Sequence, residues 1–120
     1  MNIFISTGEV SGDLQGSFLI KALHHQAQLK GISLEINALG GDRMKTAGAN
    51  LIANTVEIGS VGILESLPFI FSTLNIQNKA KEYIKENPPD IVILIDYMGP
   101  NIAIGSHIHK HFPKIPIVYY

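Results

Sequence analysis

Residues 6–13, STGEVSGD, form a glycine-bracketed loop directly after an apolar run and directly before a helical pattern. Gly8 and Gly12 permit a close approach of the backbone to a ligand, and the start of a helix offers unpaired N–H donors. Glu9 and Asp13 would repel a phosphate placed among them, but their carboxylates accept hydrogen bonds from hydroxyl groups. The spacing fits neither G-x-G-x-x-G nor a P-loop, so the loop suits a sugar-like ligand better than a nucleotide tail. A tight strand-to-helix turn that serves only the fold would use the same residues.

Two further charged side chains stand where apolar runs end. Asp96 follows the run DIVILI, where a carboxylate is held on rigid backbone and partly desolvated, as a general base requires. The same carboxylate could instead cap the helix that begins near Asn101 or satisfy backbone donors in 97–100. Arg43, in the run GDRM, could bind a phosphate or carboxylate through two parallel hydrogen bonds, or it could be a solvated surface charge.

The histidines raise the question of a metal site. His107 and His111 are four residues apart and share a helix face, with His109 on the opposite side. Two ligands on one face do not make a site without a third, and the chain has no H-E-x-x-H pattern. We therefore predict no metal. Because the loop 6–13 fits neither phosphate-binding fingerprint, we also predict no other cofactor.

The elements that position these residues follow from short apolar runs that alternate with helical patterns. The predicted strands are 2–6, 33–39, 50–53, 90–95 and 115–120, and the predicted helices are 12–30, 68–86 and 101–112, with a short helix or turn over 42–49. Ser11 is the predicted N-cap of the first helix, and Gly31 ends it. Such alternation indicates βαβ units and predicts the fold class α/β, a Rossmann-like parallel sheet flanked by helices. Ligands of these sheets bind at the carboxyl ends of the strands, here the loops 6–13, 39–44 and 96–101.

Length and composition limit the class of protein. A chain of 120 residues is predicted to form one domain, 1–120. The net charge of −1 argues against a nucleic-acid partner, which would require a basic face. The chain has no cysteine, so disulfides and thiolate metal sites are excluded. The first apolar run stops at Ser6, too early for a signal peptide, which predicts a cytoplasmic protein.

Residues 56–76, VEIGSVGILESLPFIFSTLNI, are nearly long enough to span a membrane. Glu57, Glu65 and Pro68 interrupt this run, and a carboxylate near the centre of a bilayer costs about 2.5 kcal/mol or more. We therefore predict that the run does not span a bilayer. The same run could still form an apolar surface that touches lipid without crossing the bilayer.

Four stretches of the chain together resemble corresponding stretches of the lipid-A-disaccharide synthases, a family of glycosyltransferases of the GT-B architecture. In chain order they are TGEVSGD (7–13), ALGGDRM (38–44), SVGILESL (60–67) and PDIVILIDYMGPN (89–101). They occur in the family's order and at similar spacing, and the Gly-Glu-x-Ser-Gly-Asp loop is the most distinctive. The resemblance implies that the chain is the N-terminal, acceptor-side half-domain of such an enzyme.

The resemblance further implies an inverting transfer of diacylglucosamine from its UDP conjugate, the donor, to diacylglucosamine 1-phosphate, the acceptor. The products are a β-1,6 disaccharide and UDP, and neither a metal nor another cofactor takes part. Asp96 matches the aspartate proposed as general base in the family. The resemblance carries over acceptor-binding roles to Gly8, Glu9, Ser11, Gly12, Asp13, Arg43 and Asn101. The apolar stretch 58–76 resembles the membrane-facing surface of the family, which implies a location at the periphery of the inner membrane.

This sequence departs from the family pattern in two ways. Gly99 replaces the second acid of Asp-x-x-Asp-Phe-Asn, so the sequence does not support a general base made of two carboxylates. The sequence also stops at Tyr120, before the C-terminal domain that binds the UDP donor in this architecture. We expect the isolated chain to be inactive and to form homo-oligomers through its exposed domain interface. The alternative prediction is a non-catalytic Rossmann-like module that binds a small ligand.

Overall fold

The computed structural model describes residues 1–56 and 75–120 with their side chains and residues 66–74 as helix backbone. Five strands and four helices have defined bounds in this part of the chain. They are β1 Asn2–Ser6, α1 Val10–Lys30, β2 Glu35–Gly40, α2 Asp42–Ala47, β3 Asn50–Asn54, α3 Ser66–Glu86, β4 Ile91–Leu94, α4 Met98–His111 and β5 Ile117–Tyr119. Each predicted strand and helix has a counterpart among them.

The five strands form one sheet in the order β3-β2-β1-β4-β5, and all neighbouring pairs are parallel. The chain moves outward from β1 in one direction through β2 and β3, and in the other direction through β4 and β5. The topological switch point therefore lies between the carboxyl ends of β1 and β4, where Ser6 pairs with Leu94. This arrangement confirms the predicted Rossmann-like α/β fold.

Helices cover both faces of the sheet, so the side chains of the central strand alternate between two cores. On one face, Ile3 and Ile5 of β1 belong to a cluster with Ile20 of α1 and Met44 of α2. On the other face, Phe4 belongs to a cluster with residues of α3 and α4, namely Ala80, Ile84, Ile104 and Ile108. Each fully buried Ile or Leu stabilises the fold by about 1.5–3 kcal/mol relative to exposure. These two cores hold the carboxyl end of β1 in a fixed place between α1 and α4.

Two helix starts differ from the sequence prediction. Helix α1 begins at Val10 with Glu9 as its N-cap residue, so the prediction of Ser11 as N-cap is wrong. A Cβ on Gly12 would overlap the Thr7 hydroxyl. The first turn of α1 therefore packs directly on the end of β1, which leaves Ser11 inside the helix. At the other end, Gly31 ends α1 as predicted, in the left-handed conformation with φ of 66°.

Helix α4 begins at Met98, three residues before the predicted start at Asn101. The predicted start took Gly99 and Pro100 as loop residues. Pro100 is instead the third residue of the helix, where its missing N–H breaks no intrahelical hydrogen bond. Tyr97 is the N-cap residue, and its backbone is left-handed. The early start places Asn101 inside the first turns of α4, directed towards the sheet.

Candidate functional site

The loops that follow β1 and β4 touch each other at the switch point. The ring of Tyr97 lies so close to Gly8 that a Cβ on Gly8 would overlap three carbon atoms of the ring. Gly8 is buried and Tyr97 is half-buried. The structure thus brings the predicted loops 6–13 and 96–101 together. No motif in the sequence singled out Tyr97, because its contact depends on the order of the strands.

The backbone at Asp96 and Tyr97 is unusual, since both residues have positive φ, of 46° and 54°. Non-glycine residues avoid this region, and each such residue costs on the order of 1–3 kcal/mol. Strain of this kind persists only where the surroundings enforce it, and it concentrates at functional sites. The strained pair stands directly after the most apolar strand of the chain.

Asn101 joins this turn to the end of β1. Its side-chain amide Nδ2 donates hydrogen bonds to the carbonyl oxygens of Ser6 at 3.1 Å, Ile95 at 3.2 Å and Asp96 at 2.7 Å. Asn101 is only 1% exposed, so these hydrogen bonds are shielded from water. The side chain therefore ties α4 to β1 and to the turn that carries Asp96.

Asp96 itself is exposed, so the predicted partial desolvation of its carboxylate is wrong. The buried part of the strand ends at Ile95, which is fully buried, and the left-handed turn then carries residue 96 outward. The predicted alternative role as a helix cap is also wrong, because α4 has Tyr97 as N-cap residue and no side-chain capping hydrogen bond. The backbone N–H of Asp96 donates to the carbonyl of Tyr120 at 3.2 Å.

Asp96 lines an open cavity of about 260 Å³ between α4 and β5. The other lining residues are mostly apolar or aromatic: Leu94, Met98, Asn101, Ile102, Tyr119 and Tyr120. A carboxylate beside such a surface can accept a hydrogen bond, and then a proton, from a hydroxyl group of a ligand that rests on the apolar wall. This is the acid–base chemistry that the arrangement allows.

Asp13 has a different environment, with a buried carboxylate that accepts hydrogen bonds from three backbone N–H groups. Its Oδ1 accepts hydrogen bonds from the N–H groups of Gly41 at 2.9 Å and Met44 at 3.1 Å, and its Oδ2 from that of Arg43 at 3.2 Å. These donors surround the start of α2, where the helix dipole also favours negative charge. Asp13 is 4% exposed and links α1 to the 39–44 loop. Its acceptor-binding role stays a prediction.

The remaining residues predicted to bind the acceptor lie on α1 and α2 or just before them. Glu9 and Ser11 are exposed at the first turn of α1, and Gly12 is buried against Thr7. Arg43 is exposed on α2 and lines an open groove of about 310 Å³ with residues of α1 and α2: Leu14, Ser17, Phe18, Lys21, Asp42 and Thr46. The acceptor-binding roles of these residues also stay predictions.

Three buried side-chain oxygens near the ends of β1 and β4 have no hydrogen-bond partner among the described residues. They are Ser6 Oγ, Thr7 Oγ1 and Asn101 Oδ1. Buried polar atoms are normally satisfied, so a group of three such atoms in one place is uncommon. The sequence offered a weak indication of this, since two hydroxyl residues follow an apolar strand.

The histidine pair lies at the opposite end of α4 from Asp96. The imidazole rings of His107 and His111 have centroids 4.5 Å apart, as the predicted shared face requires. Burial lowers the pKa of His107 below its usual value of 6.5, and nearby positive charge from His111, Lys81 and Lys110 lowers it further. Within residues 1–56 and 75–120, no three His, Cys, Asp or Glu side chains are grouped closely enough to hold a metal ion.

Two findings concern the membrane prediction. Among the helices that the structure describes, none is long and apolar enough to cross a bilayer. The predicted membrane-facing stretch 58–76 lies outside the residues whose side chains are described, apart from its last two positions. Its role stays a prediction.

Comparison with known proteins identifies a family over nearly the whole chain. Residues 3–120 match the family model described as lipid-A-disaccharide synthetase. Proteins named lipid-A-disaccharide synthase are 60% identical over 120 residues in Gloeothece citriformis and 56% identical over 120 residues in a Synechocystis strain. Both matches cover 100% of this chain but only 31% and 30% of the relatives, so the chain spans about a third of their length.

Solved structures share the fold at low sequence identity. The calicheamicin glycosyltransferase CalG4 superposes with a TM-score of 0.59 at 21% identity, over 98% of this chain and 31% of that protein. A glycosyltransferase from Rickettsia africae superposes with a TM-score of 0.52 at 19% identity, over 98% of this chain and 28% of that protein. These likenesses confirm the predicted fold, the Rossmann-like half-domain seen in glycosyltransferases.

Proposed function

The chain belongs to the lipid-A-disaccharide synthetase family, and we propose that it forms the acceptor-side part of an inverting glycosyltransferase. The donor is diacylglucosamine linked to UDP, and the acceptor is diacylglucosamine 1-phosphate. The acceptor 6-hydroxyl oxygen attacks the anomeric carbon of the donor, and a β-1,6 bond forms as the bond to UDP breaks. The hydroxyl proton passes to a carboxylate of this chain, and UDP leaves with the bonding electrons.

Asp96 is the proposed general base, and its position is the observation that carries the proposal. It stands at the carboxyl end of β4, beside the switch point where open parallel sheets bind their ligands. The carboxylate is exposed next to an apolar cavity, so an acylated sugar can place a hydroxyl at the acid and apolar atoms on the wall. Asp13 is the other acid of these loops held on a rigid frame, but backbone donors already occupy its oxygens.

The other predicted residues receive roles that fit their surroundings. Glu9 and Ser11, exposed at the start of α1, bind sugar hydroxyls. Arg43, exposed on α2, binds the acceptor phosphate. The remaining acceptor-site residues, Gly8, Gly12, Asp13 and Asn101, shape the loops that the sugar contacts.

The proposal extends to location and assembly. Acylated substrates favour a cytoplasmic protein at the periphery of the inner membrane, bound through the apolar stretch 58–76. Co-sedimentation with vesicles of anionic phospholipid, with and without Glu substituted for Ile63 and Leu64, tests this binding. Exposed apolar residues in β5 and directly after it, namely Val118, Tyr119 and Tyr120, support self-association of the isolated chain. A single monomer mass by light scattering across protein concentrations would contradict the self-association.

A chimaera tests the proposed activity directly. In it, this chain replaces the matching segment of the full-length Gloeothece citriformis relative, to which it is 60% identical. The assay measures disaccharide formation and UDP release. Asp96→Asn is the informative variant, because asparagine keeps the shape of the side chain and tolerates the left-handed backbone. Loss of a general base lowers kcat by about 10²–10⁴-fold.

The matched control is Glu86→Gln. Glu86 is an exposed acid at the end of α3, and the chain continues from there to the amino end of β4, away from the proposed site. We expect this control to keep full activity. If Asp96→Asn turned over as fast as Glu86→Gln, Asp96 would not be the base. An inactive chimaera that retains both folded halves and binds the acceptor would favour the non-catalytic binding module.

A further inference from the structure

We infer that Tyr97 is a positioning residue for Asp96: its ring, packed on Gly8, fixes the direction in which the carboxylate leaves the backbone. The inference rests on the proposed function, because Tyr97 has this task only if Asp96 accepts the proton of the acceptor hydroxyl. Tyr97 lies within the stretch 89–101, but the sequence assigned no role to it.

The first observation is the contact itself. The Tyr97 ring lies directly over Gly8, at a distance that leaves no room for any side chain at position 8. The conformation of residue 97 therefore depends on the glycine of the loop that follows β1.

The second observation is the backbone of the turn. Asp96 and Tyr97 are the non-glycine residues with positive φ in the described part of the chain, at 46° and 54°. Aspartate tolerates this region better than an aromatic residue does. Tyr97 therefore needs a tertiary contact to stay there, and the packing of its ring on Gly8 supplies one.

The third observation is that both peptide groups next to Asp96 are held. Its N–H donates to the Tyr120 carbonyl at 3.2 Å, and its own carbonyl accepts from Asn101 Nδ2 at 2.7 Å. The direction of the Cα–Cβ bond of Asp96 follows from the backbone angles between these two anchors. If residue 97 left the left-handed region, the peptide that joins residues 96 and 97 would turn, and the carboxylate would turn with it.

This geometry makes Tyr97 matter for turnover and not for substrate binding. A displacement of a reacting group by about 1 Å lowers the rate by about 10²-fold. The side chain of Asp96 is exposed, so burial does not fix its direction. Its orientation thus depends on the backbone, and the backbone depends on the ring of Tyr97.

The test uses four variants of the chimaera, each measured for kcat and KM of the acceptor. Tyr97→Phe keeps the ring and is expected to retain kcat. Tyr97→Asn removes the ring but tolerates positive φ, and is expected to lower kcat by about 10²-fold with little change in KM. Gly8→Ala displaces the ring and is expected to lower kcat by a similar factor. The double variant Gly8→Ala with Tyr97→Asn is expected to be no slower than the slower single variant.

A second cycle separates positioning from a general loss of folded protein. In the Asp96→Asn background, Tyr97→Asn is expected to cause no further loss, because no base remains to be oriented. A merely structural role would lower kcat by the same factor in both backgrounds. Equal factors would therefore overturn the inference, and so would a Tyr97→Phe variant as slow as Tyr97→Asn.

The same data distinguish failure of the inference from failure of the proposed function. If Asp96→Asn alone kept its activity, the general-base proposal would fail, and the inference would fail with it. If Asp96→Asn lowered kcat by about 10²–10⁴-fold while Tyr97→Asn and Gly8→Ala kept kcat, only the role of Tyr97 would be refuted. For each variant, titration with the acceptor gives the concentration of folded, acceptor-binding enzyme. That concentration is used to calculate kcat.

Discussion

Among single substitutions at the carboxyl edge of the sheet, we expect replacement of Asp13 to lower the free energy of unfolding most. The buried carboxylate accepts three backbone hydrogen bonds, from Gly41, Arg43 and Met44. Asp13→Ala leaves these donors without a partner, and two of them belong to buried residues, Gly41 and Met44. Each buried N–H left unsatisfied costs about 1–3 kcal/mol, so we expect the free energy of unfolding to fall by about 3–5 kcal/mol.

Asp13→Asn gives a graded version of the same experiment. The amide oxygen can still serve Gly41 and Met44, while the amide NH₂ faces the N–H of Arg43 and loses that hydrogen bond. We expect a loss of about 2 kcal/mol, since a single hydrogen bond to a charged group contributes about 1.5–3 kcal/mol. Glu9→Gln is the matched control, because Glu9 is an exposed acid at the start of the same helix.

Urea unfolding of the 120-residue chain, followed by circular dichroism, measures these differences. Hydrogen exchange at the amides of Gly41 and Met44 adds a local readout, since exchange there should accelerate in Asp13→Ala. The reasoning would be refuted if Asp13→Ala lowered the free energy of unfolding by no more than Glu9→Gln, for which we expect about 0.5 kcal/mol or less.

Three further predictions concern stability and use the same urea assay. Asn101→Asp should be more destabilising than Asn101→Ala, because a carboxylate cannot donate to the three carbonyls and would be buried among them; equal midpoints would contradict this. Gly12→Ala should cost about 1–3 kcal/mol by overlap with the Thr7 hydroxyl, and Thr7→Ala should recover part of it; additive losses would exclude the overlap. His107 has a lowered pKa, so the folded chain binds fewer protons there than the unfolded chain, and stability should fall as the pH drops below about 6.5. His107→Gln should reduce the difference between the urea midpoints measured at about pH 7.5 and about pH 5.5. If this difference stayed the same, the pH dependence of stability would come from groups other than His107.

The sequence was sufficient to predict the elements whose patterns are local. The run around Ile93 is β-branched and continuous, as a strand covered on both faces requires, and the structure buries it between two layers of helices. Gly31 supplied a local stop for α1 in the same way. Alternation of these elements was enough to predict a parallel sheet, because crossover connections allow few other arrangements.

The details of the site depend on contacts between residues far apart in the chain, and a sequence pattern does not contain them. Asp13 finds its partners near position 41, about thirty positions further along the chain, once α2 packs against α1. The left-handed turn at Tyr97 arises where β4 ends beside Gly8, and only the strand order brings these two places together. The exposure of Asp96 follows from that turn, which is why an apolar strand before it did not predict burial.

Under the proposed function, Asp13 and Asp96 at the carboxyl edge of the sheet divide stability and chemistry between them. Three backbone donors bind the buried Asp13 carboxylate, so its oxygens hold a loop and are poorly placed to accept a proton from a ligand. The Asp96 carboxylate is exposed beside a cavity, and only the backbone of that residue is held. Asp96→Asn should therefore change the free energy of unfolding by less than about 0.5 kcal/mol while it lowers kcat of the chimaera by about 10²–10⁴-fold. Asp13→Asn should do the reverse, with a clear loss of stability and substantial turnover at low temperature, where the chimaera stays folded. If both variants changed stability and turnover in proportion, the division of roles between the two carboxylates would be wrong.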